Sequence, residues 1–490
     1  MSSFLVAFVC LILGYFFYGK LVEHVFKPDL KNPAPCYKLQ DGVDYIPMPT
    51  WKVYMIQFLN IAGTGPVFGA IQGILFGPAA YFWIVLGCIF GGAVHDYMSG
   101  MISVRKNGAS LPEIVGDELG NTAHVVMRML TLPLLILVGA VFTTTPASLM
   151  ADLVGGTSFL ANPISWIVII ILYYFMATML PIDKLIGKVY PLFGAVLLLM
   201  AAGMLGGILF ADGNLPEITD AFTNHHPSTT LPIFPGLFIT IACGAVSGFH
   251  ATQSPLMARC MKNEKLGRRI FYGAMITEGM VALIWCAATI KFADAITAYE
   301  GTPYEKLWML MTDGGTSKPN PAYIVNIICN NWLGTVGAII AILGVVAAPI
   351  STGDTAFRSA RLIAAEFFHI KQDTIFKRIA IALPLFALVV LLFFVDFSIL
   401  WRYFAWINQT LSIFTFWAIT IYLYRNGKNY WISLIPCLFM TAVCSSYILI
   451  APEGFNLERG LSYSIMAICL LISLVWFFIY AMRYNKKTLK

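Results

Sequence analysis

The feature that most constrains this chain is a glycine-rich stretch with a proline inside a long apolar segment. The segment extends from Trp51 to about Phe76, and residues 60–78 read NIAGTGPVFGAIQGILFGP. Glycine loosens a helix and Pro66 removes a backbone donor, whereas proline is well tolerated at the start of a new helix. The pattern therefore predicts two half-helices that meet within a membrane, with residues 63–65 unwound between them.

Unwound backbone at membrane depth is tolerated only where it lines a protected or watered cavity. Free carbonyl groups at such a break can bind a cation, and free N–H groups can bind a carboxylate. The first break therefore predicts a substrate site that includes Asn60, Gly63, Thr64, Gly65 and Val67. The alternative is that glycines only allow close packing of helices, which fits the four-residue spacing of Gly69, Gly73 and Gly77.

Composition places the chain in a membrane. Of its 490 residues, 59% are hydrophobic and only 11% are charged, which excludes ordinary soluble domains. Apolar runs of suitable length predict an all-α, polytopic membrane protein with about 13 transmembrane helices. The first run lacks a basic segment before it and a small-residue cleavage site, so it predicts a retained helix. The runs lie near residues 3–19, 51–76, 79–103, 123–151, 163–180, 186–211, 232–258, 269–291, 332–357, 377–395, 397–424, 430–450 and 461–482.

The distribution of basic residues predicts the orientation. Most of the 31 Lys and Arg lie in alternate loops and in the C-terminal tail. By the positive-inside rule, the N-terminus is outside and the C-terminus is inside. The net charge of +6 thus reflects membrane topology, and no nucleic-acid-binding patch is expected. The ten cysteines show neither a disulfide framework nor the spacing of metal ligands, so the sequence predicts no metal or cofactor.

A second interrupted helix is predicted around residues 240–255, TIACGAVSGFHATQSP. If each block holds five helices, the two broken helices run in opposite directions, which is typical of a five-plus-five inverted repeat. We expect a peripheral first helix and linker (1–50), two repeats (51–230 and 231–424), and two additional helices, also peripheral, with a basic tail (425–490). Substrate-binding candidates at this break are Gly244, Ser247, Gly248, His250 and Gln253.

A third polar stretch, AAPISTGDTAFRSA, covers residues 347–360 of the ninth span. Its hydroxyl groups and carboxylate are oxygen ligands suited to a sodium ion, and a carboxylate alone can carry a proton. The candidates for ion coupling here are Ser351, Thr352, Asp354 and Thr355. The alternative is that Asp354 lies at the cytoplasmic interface and pairs with Arg358, four residues further on.

Three more ionisable residues in predicted spans are candidates for ion coupling: His95, Asp96 and Glu278. His95 and Asp96 are equally compatible with a hydrogen-bonded pair that braces helices near the cytoplasmic face. Glu278 also fits an interfacial position from which its side chain reaches water. The amides of Asn408 and Gln409 favour contacts between helices.

Five sequence blocks occur together in this chain: GTGPVFG (63–69), FGP (76–78), GGAVHDYMSGMISVRKNG (91–108), SGFHATQSPLMARC (247–260) and APISTGDTAFRSAR (348–361). Together they resemble the carbon starvation protein A family, whose well-known enterobacterial members are longer. The resemblance implies a multi-pass transporter of the bacterial inner membrane, associated with nutrient limitation, that takes up peptides or pyruvate. It also implies the fold of the amino acid–polyamine–organocation superfamily, in which a sodium site lies between the first broken helix and hydroxyls that match Ser351, Thr352 and Thr355.

The sequence thus predicts a secondary transporter, and not an enzyme, that imports a small carboxylate-bearing nutrient with a coupled sodium ion or proton. A carboxylate is expected near Thr64–Val67 and near Ser247–His250. The breaks contain no acidic residue, and Asp96 and Asp354 are expected nearer the cytoplasm, which slightly favours pyruvate over a peptide with its ammonium group. A channel or nutrient sensor is the alternative, whereas a membrane-embedded enzyme lacks a recognisable metal-ligand or nucleophile motif.

Overall fold

In the part of the chain that the computed structural model describes, residues 1–179, 186–227, 232–317, 319–395 and 397–488, all regular structure is helical. The α-helices are α1 (Ser2–Phe16), α2 (Tyr18–Phe26), α3 (Pro35–Lys38), α4 (Thr50–Ala62), α5 (Gly65–Gly73), α6 (Ala79–Phe82), α7 (Ala93–Arg105), α8 (Leu111–Leu119), α9 (Asn121–Val154), α10 (Pro163–Met179), α11 (Ile186–Phe210), α12 (Ile233–Thr240), α13 (Gly248–Ala258), α14 (Gly273–Ala295), α15 (Pro303–Met311), α16 (Pro321–Phe367), α17 (Ile375–Leu392), α18 (Phe397–Arg425), α19 (Trp431–Ile450) and α20 (Arg459–Thr488).

Among the described residues, ten helical segments are long and apolar enough to cross a membrane. Helices α4 and α5 form a further span that is bent by 43° at its break. Helix α10 is apolar but shorter, with 17 residues, and α12 and α13 are two halves of an interrupted span. Helices therefore occur at all the predicted positions, which confirms the all-α polytopic fold, while the number of spans and their orientation stay predictions.

The centre of the bundle is formed by the span that contains α6 and α7 and by the span that ends with α14. In their most apolar stretches 78% and 89% of residues are buried, against 22% for α1 with α2 and 11% for α20. The first and last helices are therefore peripheral, as expected from their few polar residues. The expectation that α19 is also peripheral is wrong, because 61% of its apolar stretch is buried and it packs against α12 and α18.

A π-helical stretch, Trp83–Gly92, connects α6 to α7. Its glycines allow close contact with the second interrupted helix: a Cβ at Gly92 would lie only 2.1 Å from the carbonyl oxygen of Ala245. Wide helical turns of this kind are rare and occur frequently at functional sites.

Both predicted breaks are present. Helix α4 ends at Ala62, and α5 begins at Gly65 with Pro66 as its second residue, where the missing amide proton costs no helical hydrogen bond. The second helix is interrupted between Thr240 and Gly248, over residues 241–247.

The two broken helices contact each other and run antiparallel. A Cβ at Gly65 would lie 2.3 Å from the Cβ of Cys243, and one at Gly69 would lie 2.9 Å from the carbonyl oxygen of Thr240. The contact thus moves backward along the second helix as it moves forward along the first. Close packing therefore explains Gly69, as the alternative interpretation held, while the division into two five-helix repeats stays a prediction.

Candidate functional site

The first break brings α4 against α16. Gly63 has φ +30°, a backbone conformation that favours glycine, and its Cα faces the ring of Phe142. The hydroxyl oxygens of Thr352 and Ser351 lie 3.2 and 3.5 Å from the carbonyl oxygen of Leu59, near the end of α4. The oxygen atoms that the family resemblance implies as cation ligands are therefore neighbours.

The backbone N–H groups at this break differ in their availability. The amide of Val67 donates to the carbonyl of Thr64 at 3.2 Å, so it is used in the first turn of α5. The amides of Gly63, Thr64 and Gly65 have no hydrogen-bond acceptor among the described residues. Of the amides predicted to bind a carboxylate, those of Thr64 and Gly65 are thus available, whereas that of Val67 is not.

A buried polar face continues along α4 toward its start. Gln57, Asn60 and Thr64 are 0% exposed, and none of their side-chain polar atoms has a partner in the described part of the chain. Met55, on the other side of α4, packs against α11, so this face points away from α11. Helix α13 packs on α4 and carries the equally buried Gln253, whose side-chain carbonyl oxygen also has no partner among the described residues. Each such atom costs about 1–3 kcal/mol if it stays dry, so this face suits water or a polar solute.

Sequence reasoning missed Gln57. Its spacing of three residues from Asn60 and seven from Thr64 is the helical signal that could have identified it.

The second break is held by α18. The side-chain carbonyl of Asn408 accepts hydrogen bonds from the amide of Phe249 at 2.6 Å and from the hydroxyl of Ser247 at 3.1 Å. A Cβ at Gly248 would lie 2.3 Å from the backbone carbonyl oxygen of Asn408, and one at Gly244 would lie 2.6 Å from a methyl group of α14. The two predicted glycines therefore serve close helix contact, and Asn408 occupies a donor at the start of α13.

A cluster of four ionisable residues lies beside the second break. Each carboxylate oxygen of Asp96 accepts a hydrogen bond from a histidine ring, one from Nδ1 of His95 at 2.8 Å and the other from Nδ1 of His250 at 2.9 Å. The other ring nitrogen of His250 lies 3.5 Å from a carboxylate oxygen of Glu278, and neither oxygen of Glu278 has a hydrogen-bond partner in the described structure. All four side chains are fully buried.

This cluster corrects two expectations. Residues 241–247 contain no acid, but His250 is the third residue of α13, so Asp96 and Glu278 lie beside the second break and the expectation that acidic groups lie away from it is wrong. Glu278 is 0% exposed, which also excludes the interfacial position. The charge argument against an ammonium-bearing substrate therefore no longer holds.

Asp354 is likewise buried, on α16. It accepts a hydrogen bond from the hydroxyl of Tyr190 on α11, whereas Arg358 binds Asp44 at 3.0 Å. The alternative of an interfacial Asp354–Arg358 pair is therefore wrong. The hydroxyl of Thr355 donates to the carbonyl of Ser351 in its own helix at 3.1 Å, so this hydrogen bond does not connect Thr355 to the first break. Nothing in the sequence pointed to Tyr190.

The space between the breaks is closed, because Gly65 and Cys243 are in contact. A cavity of about 800 Å³ lies between the α6–α7 span, α12 and α19, and neither Gly65 nor Cys243 is among the residues that line it. Its walls are apolar, with Trp83, Phe238 and Phe439 among them, so it lacks the polar groups that orient a charged solute. In the described part of the chain, no group of three or more His, Cys, Asp or Glu has the arrangement of a metal site.

Comparison with known proteins gives relatives along much of the chain. An uncharacterized membrane protein of Haemophilus influenzae is 44% identical over an alignment of 354 positions, and the match covers 61% of this chain and 95% of that protein. Peptide transporter CstA of Mycobacterium tuberculosis is 32% identical over 56% of this chain and 44% of its own length. For peptide transporter CstA of Bacillus subtilis the identity is 27%, over 61% of this chain and 60% of the relative. The matches thus span about half the length of these peptide transporters.

Among solved structures, the manganese transporter of Eremococcus coleocola has a similar fold. The crystal structure with an aromatic bis-isothiourea compound has a TM-score of 0.56 at 14% identity, and the match covers 91% of this chain and 99% of that one. The named relatives and this neighbour are transporters, in agreement with the prediction of a transporter rather than an enzyme. The family model described as carbon starvation protein CstA matches residues 1–161 and 147–300, more than half of the sequence. The chain therefore belongs to the carbon starvation protein CstA family.

Proposed function

We propose that this chain is a secondary transporter that imports a small carboxylate-bearing nutrient together with a cation. The observation that carries the proposal is the contact between two antiparallel broken helices, one of which carries a buried polar face that has no partners among the residues described. Broken helices of this kind bind substrates and ions near the middle of the membrane in transporters. The family name supports a role during carbon starvation, and the bacterial relatives support a place in the inner membrane.

The solute's carboxylate would bind the free amides of Thr64 and Gly65. Amides at the start of a helix attract an anion through their N–H groups and the helix dipole. The rest of the solute would lie along Gln57, Asn60 and Gln253, whose side chains both donate and accept hydrogen bonds. The solute would thereby satisfy polar atoms that are otherwise buried at a cost.

A small peptide is the first candidate substrate. The curated relatives are named peptide transporters, and Glu278 supplies an acidic group at the second break that an ammonium group would need. Pyruvate, which needs only donors, is the second candidate, because the free amides of the first break suit any carboxylate.

The coupled cation has two candidate positions. Glu278 suits a proton, because its carboxylate has no hydrogen-bond donor within the described structure and burying an unpaired charge is expensive. The His95–Asp96–His250 chain would hold the imidazole of His250 in place beside it. The oxygens of Leu59, Ser351 and Thr352 suit a sodium ion instead.

Uptake into proteoliposomes tests substrate, ion and class together. Labelled dialanine and labelled pyruvate would be offered separately, with an imposed proton gradient, an imposed sodium gradient or neither. We expect saturable accumulation of one of these solutes that depends on one gradient. Flux that does not saturate, with an electric current, would favour a channel, and the lack of any flux for either solute would contradict the proposal.

The variant Glu278→Gln tests the proton site. We expect it to lose accumulation driven by a proton gradient but to keep exchange of labelled for unlabelled solute, because the amide cannot carry a proton yet fills the same space. Glu118→Gln is the matched control, since Glu118 is also buried but pairs with Lys106 and Arg425 away from both breaks. Proton-driven accumulation by Glu278→Gln at the normal level would exclude Glu278 as the proton carrier.

A further inference from the structure

The connection between α2 and α4, residues 27–49, is fixed along its length to the ends of other helices. We call it the strap. The amide of Met48 donates to the carbonyl of Cys260 at 3.2 Å, and the thiol of Cys36 lies 3.2 Å from the carbonyl oxygen of Met261. The hydroxyl of Tyr45 donates to the carbonyl of Asn107 at 3.1 Å, after the end of α7. The strap thus joins the ends of α7 and α13.

The strap also binds α16 through one carboxylate. Asp44 lies 3.0 Å from a guanidinium nitrogen of Arg358 and 3.8 Å from one of Arg361, and both arginines are at most 1% exposed. Burial alone would raise the pKa of Asp44, but Arg358, Arg361 and Arg259 together hold that pKa below its usual value. Asp44 is therefore ionised, and its ion pairs with Arg358 and Arg361 hold the strap against α16.

The position of the strap relates it to the solute site. Helix α4 starts directly after it, at Thr50, and α13 ends just before Cys260, to which the strap is bonded. Both helices carry buried polar atoms without partners among the described residues, and the strap lies across the end at which α4 begins and α13 stops. This end lies among the basic loops that are predicted to face the cytoplasm.

The ion pair of Asp44 with Arg358 also lies close to the candidate cation site. Arg358 lies on α16 less than two turns beyond Thr352, whose hydroxyl approaches the first break. The hydroxyl of Ser359, next to Arg358, lies 3.3 Å from the carbonyl oxygen of Thr252 on α13. A shift of α16 relative to α4 or α13 would therefore act directly on the ion pair between Asp44 and Arg358.

We propose that the strap is the gate on the basic face and that Asp44 is its latch. The solute passes this face only when Asp44 releases Arg358 and Arg361 and the strap moves away from α13. Asp44 acts on transport through the position of the strap and does not touch the solute. This inference rests on the proposed function, because it assumes a solute between the broken helices.

Two native cysteines report on the gate. Cys243 lies at the second break against Gly65, and Cys36 lies in the strap, and both are buried. Each would be kept as the only cysteine, and its rate of modification would be measured with a membrane-impermeant thiosulfonate added to the basic face or to the opposite face. Asp44→Asn is the principal variant, and Asp44→Glu keeps the charge with a longer side chain. Asp373→Asn is the matched control, because Asp373 forms an exposed ion pair with Lys377 outside the strap.

We expect Asp44→Asn to accelerate modification of both cysteines from the basic face by at least about tenfold, the change in population that a shift of 1.4 kcal/mol produces. Asp44→Glu should retain most of the protection, and Asp373→Asn should leave the rates unchanged. If Cys36 reacts faster but Cys243 does not, the strap is only a tether and the proposal fails. Equal acceleration of Cys243 from both faces would show general loosening and would also overturn it.

Solute protection separates this inference from the proposed function. Dialanine or pyruvate at saturating concentration would be added to the Asp44→Asn sample before the thiosulfonate. Slower modification of Cys243 supports both ideas. If Cys243 is opened by Asp44→Asn yet neither solute slows its modification, the gate stands and the proposed solute site fails.

Discussion

At the scale of single residues, Gly65 determines whether the two breaks can meet. A methyl group there would lie 2.3 Å from the Cβ and 2.5 Å from the sulfur of Cys243, which is far closer than van der Waals contact. The contact joins the start of α5 to residues 241–247, so a larger residue would force the two breaks apart.

We therefore expect Gly65→Ala to abolish solute uptake while the protein still folds, and Cys243→Gly in the same chain to restore part of it, because it removes the clashing atoms. Uptake by the single and double variants in proteoliposomes is the measurement. Gly206→Ala is the control, since no atom lies within 4 Å of a Cβ at Gly206. Normal uptake by Gly65→Ala would show that contact between the breaks is not needed for transport.

Pairings between residues that lie far apart in the chain cannot be read from a single sequence. Asp96 stands out because a carboxylate in a membrane is costly, and His95 is its neighbour in the chain. Its other partner, His250, is 154 positions away, and nothing in one sequence announces that pairing. The pairing of Asp354 with Tyr190 is hidden for the same reason, since hydropathy reports how costly a group is to bury but not which group compensates it.

At the scale of elements, α18 stabilises the irregular start of α13. Asn408 accepts hydrogen bonds from Phe249 and Ser247, both at the beginning of that half-helix. These donors are buried, so they would have no acceptor if the amide were removed.

We expect Asn408→Ala to lower the free energy of unfolding by about 1–3 kcal/mol, the usual cost of a buried donor without an acceptor. Thermal unfolding in detergent, read by tryptophan fluorescence, would measure this loss against Thr410→Ala, because the hydroxyl of Thr410 donates to the carbonyl of Trp406 in its own helix at 2.8 Å. An unchanged unfolding temperature for Asn408→Ala would mean that water replaces the lost acceptor.

Breaks and helix extents differ in how well the sequence predicts them. Gly-Thr-Gly-Pro and the glycines and polar residues between 244 and 255 each interrupt an apolar run, so both breaks were predictable. Helix α16 begins at Pro321, eleven residues before the predicted start at 332, and continues to Phe367, with a non-helical Gly334 inside. Hydropathy detects only the part of a helix that is apolar, so it does not report polar ends that continue beyond the membrane.

At the scale of the whole molecule, the ends of several helices are gathered on one basic face. The strap bonds to residues at the ends of α7 and α13 and to α16, and Arg259, Arg358 and Arg361 lie in this region. The charge bias in the sequence and the antiparallel contact of the broken helices therefore agree on one arrangement. They do so independently, because one depends on loop composition and the other on packing between spans.

This agreement gives a test of orientation. A cysteine introduced at the exposed Lys262, after α13, should react with an impermeant maleimide only in inverted vesicles, because basic loops stay in the cytoplasm. A cysteine at the exposed Asp212, after α11, should react in intact cells. Both would be placed in a chain without native cysteines, and uptake would verify that each variant is folded. The reverse pattern would place the strap on the outer face, so the gate inferred for release of the solute would then control its capture.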